Sequence, residues 1–315
     1  MKSRELGTTG IRVPELSLGA APFGDVYGDT TPEQLDDAMA AALTAGMNLI
    51  DTSPYYGDTR SESALGRCLR GVAREDYVLA TKCGRQAAGW DFSEDAIRRS
   101  IDASLERLGT DRLDIVQCHD IEEGDIRQVR DEAIPVLRDL QEQGVIGAFG
   151  VTGYTLDLLE QVAVEEQVGS VMAYCTYTLQ DRRLLDVAGR LRERGIGVFN
   201  ASPLHMGILT EKGAPEWNPA HVGAREASRR VVELCREAGT RIETVALQFA
   251  LDVAEDAGIS TTVVGTASAA NVDRNVAVVG SVADRALLEA IREAFGSWLN
   301  VGWDVPATQV SGSRP

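Results

Sequence analysis

The sequence predicts an α/β fold: a closed (β/α)8, or TIM, barrel with an N-terminal β-hairpin and a C-terminal tail over one barrel end. Three observations predict it. Eight short apolar or β-branched runs recur along the chain: LSLG from residue 16, NLID from 48, YVLATK from 77, LDIVQCH from 113, IGAFGVT from 146, SVMAYC from 170, IGVFNAS from 196 and STTVVGT from 260. Stretches of helical period separate them, and regular alternation of strand and helix indicates parallel strands joined by crossover helices. No Gly/Ser/Pro linker or shift in composition divides the 315 residues. The eight units therefore read as one barrel domain over 1–315 rather than two doubly wound halves.

The elements follow in order. RELGTTGIRVPEL, from residue 4, has two strand-like pieces around Gly7 and Gly10 and reads as a hairpin closing the barrel's bottom. Thr31-Pro32 is a helix start, a capping hydroxyl before a first-turn proline. Ser93 opens EDAIRRSIDASLERLG, where Ile97, Ile101, Leu105 and Leu108 mark one apolar face. The stretch HMGILTEKGAPEWNPAHVG (205–223), rich in Gly and Pro, is long enough for a loop covering a substrate. The tail from Gly296, with Trp298, Trp303 and Pro306, is apolar without period and is expected to pack over a barrel end.

A net charge of −17 argues against nucleic acid or an anionic membrane as partner. No apolar run reaches about 18 residues and no leader-like start is seen, so a cytoplasmic protein is expected. Five cysteines (Cys68, Cys83, Cys118, Cys175, Cys235) are never spaced as CxxC, which suggests neither a disulfide framework nor a metal site. Without a heptad pattern, monomer and homodimer both stay open.

In such a barrel the residues just past the strands' C-terminal ends share one mouth. Ionisable groups gather there after the second, third and fourth strands: DTSPYYG (51–57), Lys82, and His119 with Asp120. Of 31 basic residues only Lys2, Lys82 and Lys212 are lysine, so Lys82 at a strand end suggests a need for a compact, titratable ammonium. It can form a Schiff base, clamp a phosphate or tune a phenol, and the adjacent tyrosines favour the last. An ammonium lowers a phenol's pKa from about 10 toward neutrality. Asp51 can hold that ammonium and His119 can hydrogen-bond a reacting oxygen. The blander readings are a structural Lys82–Asp51 ion pair and a core histidine.

Taken together, NLIDTSPYYGDTRSESALG, LATK, DIVQCHD, IGAFGVTG, ASPLHMGILT and VVGTASAANVDRN resemble the aldo-keto reductase family, in order and over nearly the whole chain. The resemblance implies a catalytic tetrad of Asp51, Tyr56, Lys82 and His119. QCHDIE, DEAIP, GVTG, YCTY and ASPLHMGILTEKGAPEW are similar to the branch that oxidises aldoses of the L-galactose, L-fucose or D-arabinose type at C1. That implies hydride transfer to NAD or NADP, with Tyr56 accepting the hydroxyl proton and an aldonolactone as product. Implied cofactor contacts are Thr152, Tyr174, Ser202, Leu204, Gly265, Thr266, Asn271 and Asn275; implied sugar contacts are Tyr55, Trp90 and Asp120.

Several positions depart from the family pattern. Its Ser-Asn pair is Thr152-Gly153, its Gln is Tyr174, and its stacking aromatic is Ala201, so Tyr174 is expected to stack on the nicotinamide. The Lys and Arg that meet the 2′-phosphate of NADP correspond to Gly265 and Asn271, which favours NAD; Arg274 keeps NADP possible. Main-chain N–H groups behind VVGTASAAN, with Thr266 and Ser268 as caps, suit a phosphate. The alternatives are an NADPH-dependent aldehyde or ketone reductase, a pyridoxal-type dehydrogenase, a Schiff-base aldolase on Lys82 and a nucleotide-sensing regulatory subunit.

Overall fold

In the computed structural model, which describes residues 1–303, every one of the eight expected runs is a strand. β1 (Ser3–Glu5) and β2 (Arg12–Pro14) make the antiparallel hairpin. β3 (Leu16–Gly19), β4 (Leu49–Asp51) and β5 (Val78–Cys83) begin the barrel. β6 (Arg85–Gln86) and β7 (Gly89–Trp90) form a small hairpin on the loop after β5, too short to show a period in the sequence. β8 (Leu113–Cys118), β9 (Ile146–Gly153), β10 (Ser170–Tyr174), β11 (Gly197–Ala201) and β12 (Thr261–Gly265) complete the ring, which closes through parallel pairing of β12 with β3.

Strands covered on both faces read as near-continuous apolar runs, and these do. One face supplies the barrel interior, where Leu49, Ala80, Ile115, Met172, Phe199 and Val263 pack together. The alternate residues, such as Leu18, Leu79, Val116 and Val198, meet the surrounding helices. The N-terminal hairpin plugs the bottom: Leu6 and Val13 are fully buried in the interior cluster. Thr8 N–H donates to Gly195 O at 2.8 Å. Gly7 has φ +55°, and a Cβ there would come 2.2 Å from Gly195 O, so this contact requires glycine.

Local signals act as the sequence suggests, with one difference. Thr31 Oγ1 accepts from Gln34 N–H at 3.2 Å ahead of the helix Pro32–Thr44. Ser93 precedes the helix Glu94–Leu108, but its hydroxyl makes no capping bond; the helix stops at Gly109 with φ +66°. The loop at 205–223 is a pinned strap. Asn218 Nδ2 donates to Met206 O at 3.1 Å, its Oδ1 accepts from Ala220 N–H at 2.9 Å, and Trp217 meets Tyr27 at 5.5 Å between ring centroids. The tail returns over the mouth. Gln180 Nε2 donates to Trp298 O and Val301 O at 2.9 and 3.1 Å, and Trp303 stacks on Tyr154 at 4.7 Å. Pro306 lies outside the described residues. Among those residues no helix is long and apolar enough to cross a membrane.

Candidate active site

β4, β5 and β8 deliver three chemically active side chains to one mouth. Asp51 and Lys82 stand two residues beyond Leu49 and Ala80, so the strand period points them inward above the apolar layer. The Lys82 ammonium donates to the two Asp51 oxygens at 2.8 and 2.7 Å and to Thr52 O at 2.8 Å. Both side chains are almost wholly buried. Tyr56 places its ring centroid 4.9 Å from Lys82 Nζ. Its backbone is held at both ends, N–H to Ser53 O at 3.1 Å and O from Ser61 N–H at 3.2 Å. Beside it Gly57 has φ +63°, where a Cβ would come 2.0 Å from Gly24 O. Two loops thus meet backbone to backbone and fix the phenol.

His119 follows β8 directly. Its Nδ1 lies 3.0 Å from Ser53 Oγ, which already accepts the Tyr55 N–H at 3.1 Å. A Ser53 hydroxyl that donates to Nδ1 while accepting the Tyr55 N–H places the imidazole proton on Nε2, the nitrogen nearest the Asp120 carboxylate. Nε2 stands 3.8 Å from Asp120 Oδ2.

Burial dominates the electrostatics. It pushes His119 well below the ordinary imidazole range, with the Lys82 and Arg85 cations adding to the effect, so the ring is neutral. Burial likewise raises Tyr56 above the ordinary phenol value; Lys82 pulls it down, while Asp51 and Asp120 push it up. The expectation that Lys82 brings Tyr56 toward neutrality is thus corrected: desolvation outweighs the ammonium, and the resting group is a neutral phenol. Burial raises Asp51 against the pull of Lys82. It also works against the Lys82 ammonium, yet Asp51 and Tyr56 hold that group above the ordinary lysine value. The bidentate geometry is that of ammonium on carboxylate.

All four side chains line a cavity of about 1670 Å³. Small-molecule pockets usually measure about 300–1,000 Å³, so there is room for more than a monosaccharide. Tyr55, Asp120, Thr152, Tyr174, Ser202, Leu204, Gly265, Thr266, Asn271 and Asn275 share its wall. Trp90 does not; it meets the site through Arg85, whose guanidinium carbon is 5.0 Å from the Trp90 ring and 3.7 Å from the Tyr55 ring. Tyr174 packs toward Tyr154 at 5.6 Å and Trp303 at 6.1 Å. Ser268 heads the helix Ala269–Ala277 without a hydroxyl cap, and its N–H donates to Thr266 Oγ1 at 3.2 Å. Arg274, exposed at the rim, donates to Asn271 Oδ1.

Three further residues belong to the site and escaped the sequence reading. Arg85, three residues beyond Lys82, pairs with Asp120. Glu122, in CHDIE, packs against Gly153 so closely that a Cβ there would lie 2.1 Å from its carboxylate, and it accepts the Tyr154 N–H. The absence of a side chain at 153 therefore makes room for an acid. Trp303 comes from the tail, which was expected to pack over a barrel end but was not assigned to the site.

A barrel whose mouth joins a buried ammonium–carboxylate pair, a neutral phenol and a neutral imidazole is an enzyme site built for moving protons at a carbonyl or hydroxyl oxygen. The chain belongs to the aldo/keto reductase family, whose model matches residues 15–294, and it is an oxidoreductase. It is 45% identical over 284 residues to L-galactose dehydrogenase of Arabidopsis thaliana, covering 88% of this chain and 87% of that one. It is 34% identical to D-arabinose 1-dehydrogenase of Saccharomyces cerevisiae, covering 81% and 80%. Among solved structures, the holo form of an aldo-keto reductase from Bacillus halodurans superposes with a TM-score of 0.77 at 26% identity, over 93% of this chain and 96% of that one.

Proposed function

We propose that the chain acts as one barrel domain and oxidises an aldose at C1 to the aldonolactone, using NAD. The observation that carries this reading is the junction of the Asp51–Lys82 pair, Tyr56 and His119 at one cavity large enough for sugar and dinucleotide together. The names of the relatives, L-galactose dehydrogenase and D-arabinose 1-dehydrogenase, support the substrate class.

The wall fits a nicotinamide dinucleotide. It runs from the tetrad to the start of the helix Ala269–Ala277, with Thr266 and the buried Asn275 beside it, and Thr152, Tyr174, Ser202 and Leu204 between. Those residues would hold the cofactor, which supplies the hydride acceptor when bound. His119 Nε2–H orients the C1 hydroxyl oxygen, and Tyr56, once ionised, takes its proton while Lys82 stabilises the phenolate. Asp51 holds Lys82 in place. Because burial keeps the resting phenol neutral, the base form grows with rising pH, and oxidation is fastest on the alkaline side.

NAD is favoured over NADP because Gly265 and Asn271 bring no charge to a 2′-phosphate, while the exposed Arg274 keeps its charge and most of its donors and is the cation of that segment that NADP could engage. Five free cysteines, four of them buried, support a reducing, cytoplasmic compartment. Initial-rate oxidation of L-galactose, L-fucose and D-arabinose with NAD and NADP in parallel tests the reading. NAD-linked turnover that collapses in Tyr56→Phe supports it. A neutral resting phenol also suits carbonyl reduction, so aldehyde reduction with NADPH and no aldose oxidation would select that alternative.

A further inference from the structure

Arg85 contacts two neighbours of His119, Tyr55 and Asp120, and its own place is fixed by the backbone. Gly84 turns with φ +87°, where a Cβ would run into the fully buried Phe92 ring, and Asp91 N–H closes the hairpin onto Gly84 O at 2.8 Å. β6 then pairs Arg85 with Trp90. The guanidinium carbon lies 3.7 Å from the Tyr55 ring centroid and 5.0 Å from that of Trp90, and the group donates to Asp120 Oδ2. The Tyr55 ring stands nearly perpendicular to the imidazole, with centroids 6.0 Å apart. Asp120 Oδ2 is 3.8 Å from His119 Nε2, too far for a hydrogen bond, so the carboxylate faces Nε2–H without claiming it.

The charge on Asp120 matters to the tetrad. Beyond burial and the opposed charges of Lys82 and Asp51, it weighs against ionisation of Tyr56. Its side chain is only 3% exposed, so water screens it little. Lys82 is bonded to Asp51, which leaves Arg85 as the cation paired with Asp120. We propose that Arg85 is a positioning residue for the reaction: it neutralises the Asp120 carboxylate and holds it off Nε2, so that Asp120 neither takes the His119 proton nor opposes the phenolate of Tyr56. This deepens the proposed oxidation and rests on Tyr56 as its base. Without Arg85 a buried carboxylate turns to the nearest donor, Nε2–H, or stands unpaired beside the forming phenolate, and either slows proton removal. At the alkaline pH of oxidation Asp120 is charged, since burial raises it only to about 6.

The test is the pH profile of kcat/KM, which reports ionisations of the free enzyme, for NAD-linked oxidation of L-galactose. Tyr56 is faced by Lys82, Asp51, His119, Asp120 and Tyr27, and Asp120 by Arg85, Glu122, Lys82, His119 and Tyr174. Of these charges, Arg85→Met removes only the one that balances Asp120. Its alkaline limb should move up by about one pH unit, a loss of about 10-fold below the limb. Arg85→Lys keeps the charge and should recover most of that shift. Asp120→Asn should move the limb down, and the Arg85→Met/Asp120→Asn double variant should return it toward the wild type. Cofactor affinity from a fluorescence titration reports whether each variant keeps the folded site. A loss in Arg85→Met that is equal at every pH, or one that the second substitution does not reverse, would overturn the proposal and make Arg85 a support for the hairpin alone. Reduction of glyceraldehyde with NADH and NADPH separates the two readings, because there Tyr56 acts as the acid and the rate falls as the phenol ionises. If no aldose is oxidised but that descending limb moves up in Arg85→Met and back in the double variant, the role of Arg85 stands and the aldose reading falls.

Discussion

The interior of this barrel has two halves made from the same strands. At the bottom Leu49, Ala80, Ile115 and Phe199 pack with Leu6 and Val13 of the hairpin. One inward step higher along three of those strands stand Asp51, Lys82 and Gln117, with His119 beyond, where apolar groups give way to ionisable ones. The lower half is stabilised by burial of apolar surface, about 25 cal/mol per Å². The upper half works against that gain, since it buries charges and leaves polar atoms such as Asp120 Oδ1 and Trp303 Nε1 without partners. The contrast teaches that stability and chemistry share one set of strands but are separated by height. Substitutions in the two halves should therefore have effects of different kinds.

The largest effect is expected at the top. Tyr56→Phe removes the proton acceptor and little packing, so kcat for oxidation should fall by about 10²–10⁴ while the thermal midpoint stays close to the wild type. The wild-type rate should climb with pH above neutrality, following ionisation of a phenol held above its ordinary value. A variant that loses stability as well as rate would break the separation. Next comes the bottom. Phe199→Ala leaves a cavity among Leu6, Ile115 and Met172 and should cost about 3–5 kcal/mol in a urea titration, with kcat of the folded enzyme little changed. A matching loss of kcat would show that the plug positions the mouth rather than merely supporting it.

Which residues share the mouth was legible because the strand ends are legible. LDIVQC and SVMAY are short, mostly apolar runs between clear breaks, so where each strand ends, and which residues follow it, can be placed from the pattern. Arg85 was not legible, because strands of two residues have no period and only the folded hairpin lays its guanidinium on Tyr55 and Asp120. Glu122 was missed for a similar reason: its place against Gly153 joins the turn after β8 to the end of β9. The direction of the Tyr56 shift was misjudged because sequence names the charged neighbour, Lys82, but not the depth of burial that outweighs it. Ser268 looked like a cap, yet the local hydrogen bond runs from its N–H to Thr266 instead.

A smaller effect sharpens the comparison within the upper half. Burial holds Asp120 at about 6, above the ordinary 3.8, despite the Arg85 ion pair and with Glu122 opposing ionisation further. A carboxyl whose pKa is higher in the folded state binds protons more readily there than when unfolded. Its stabilising contribution is thus complete below pH 3.8 and is lost as pH rises through about 6, a change of roughly 3 kcal/mol across that window. His119 and His205, both held neutral by burial, slope the other way below about 6.5, so only a difference between variants isolates Asp120. Asp120→Asn cannot ionise and keeps an oxygen for Arg85. Its stability relative to the wild type should therefore rise between pH 4 and 7.5, by up to about 3 kcal/mol, in paired urea titrations. Stability gained at pH 7.5 together with a loss of turnover would mark Asp120 as a residue kept for the site at the expense of the fold. A constant difference across that pH range would instead mean that the carboxylate is as well solvated in the folded mouth as in the unfolded chain, and the two halves of the barrel would differ less than their burial implies.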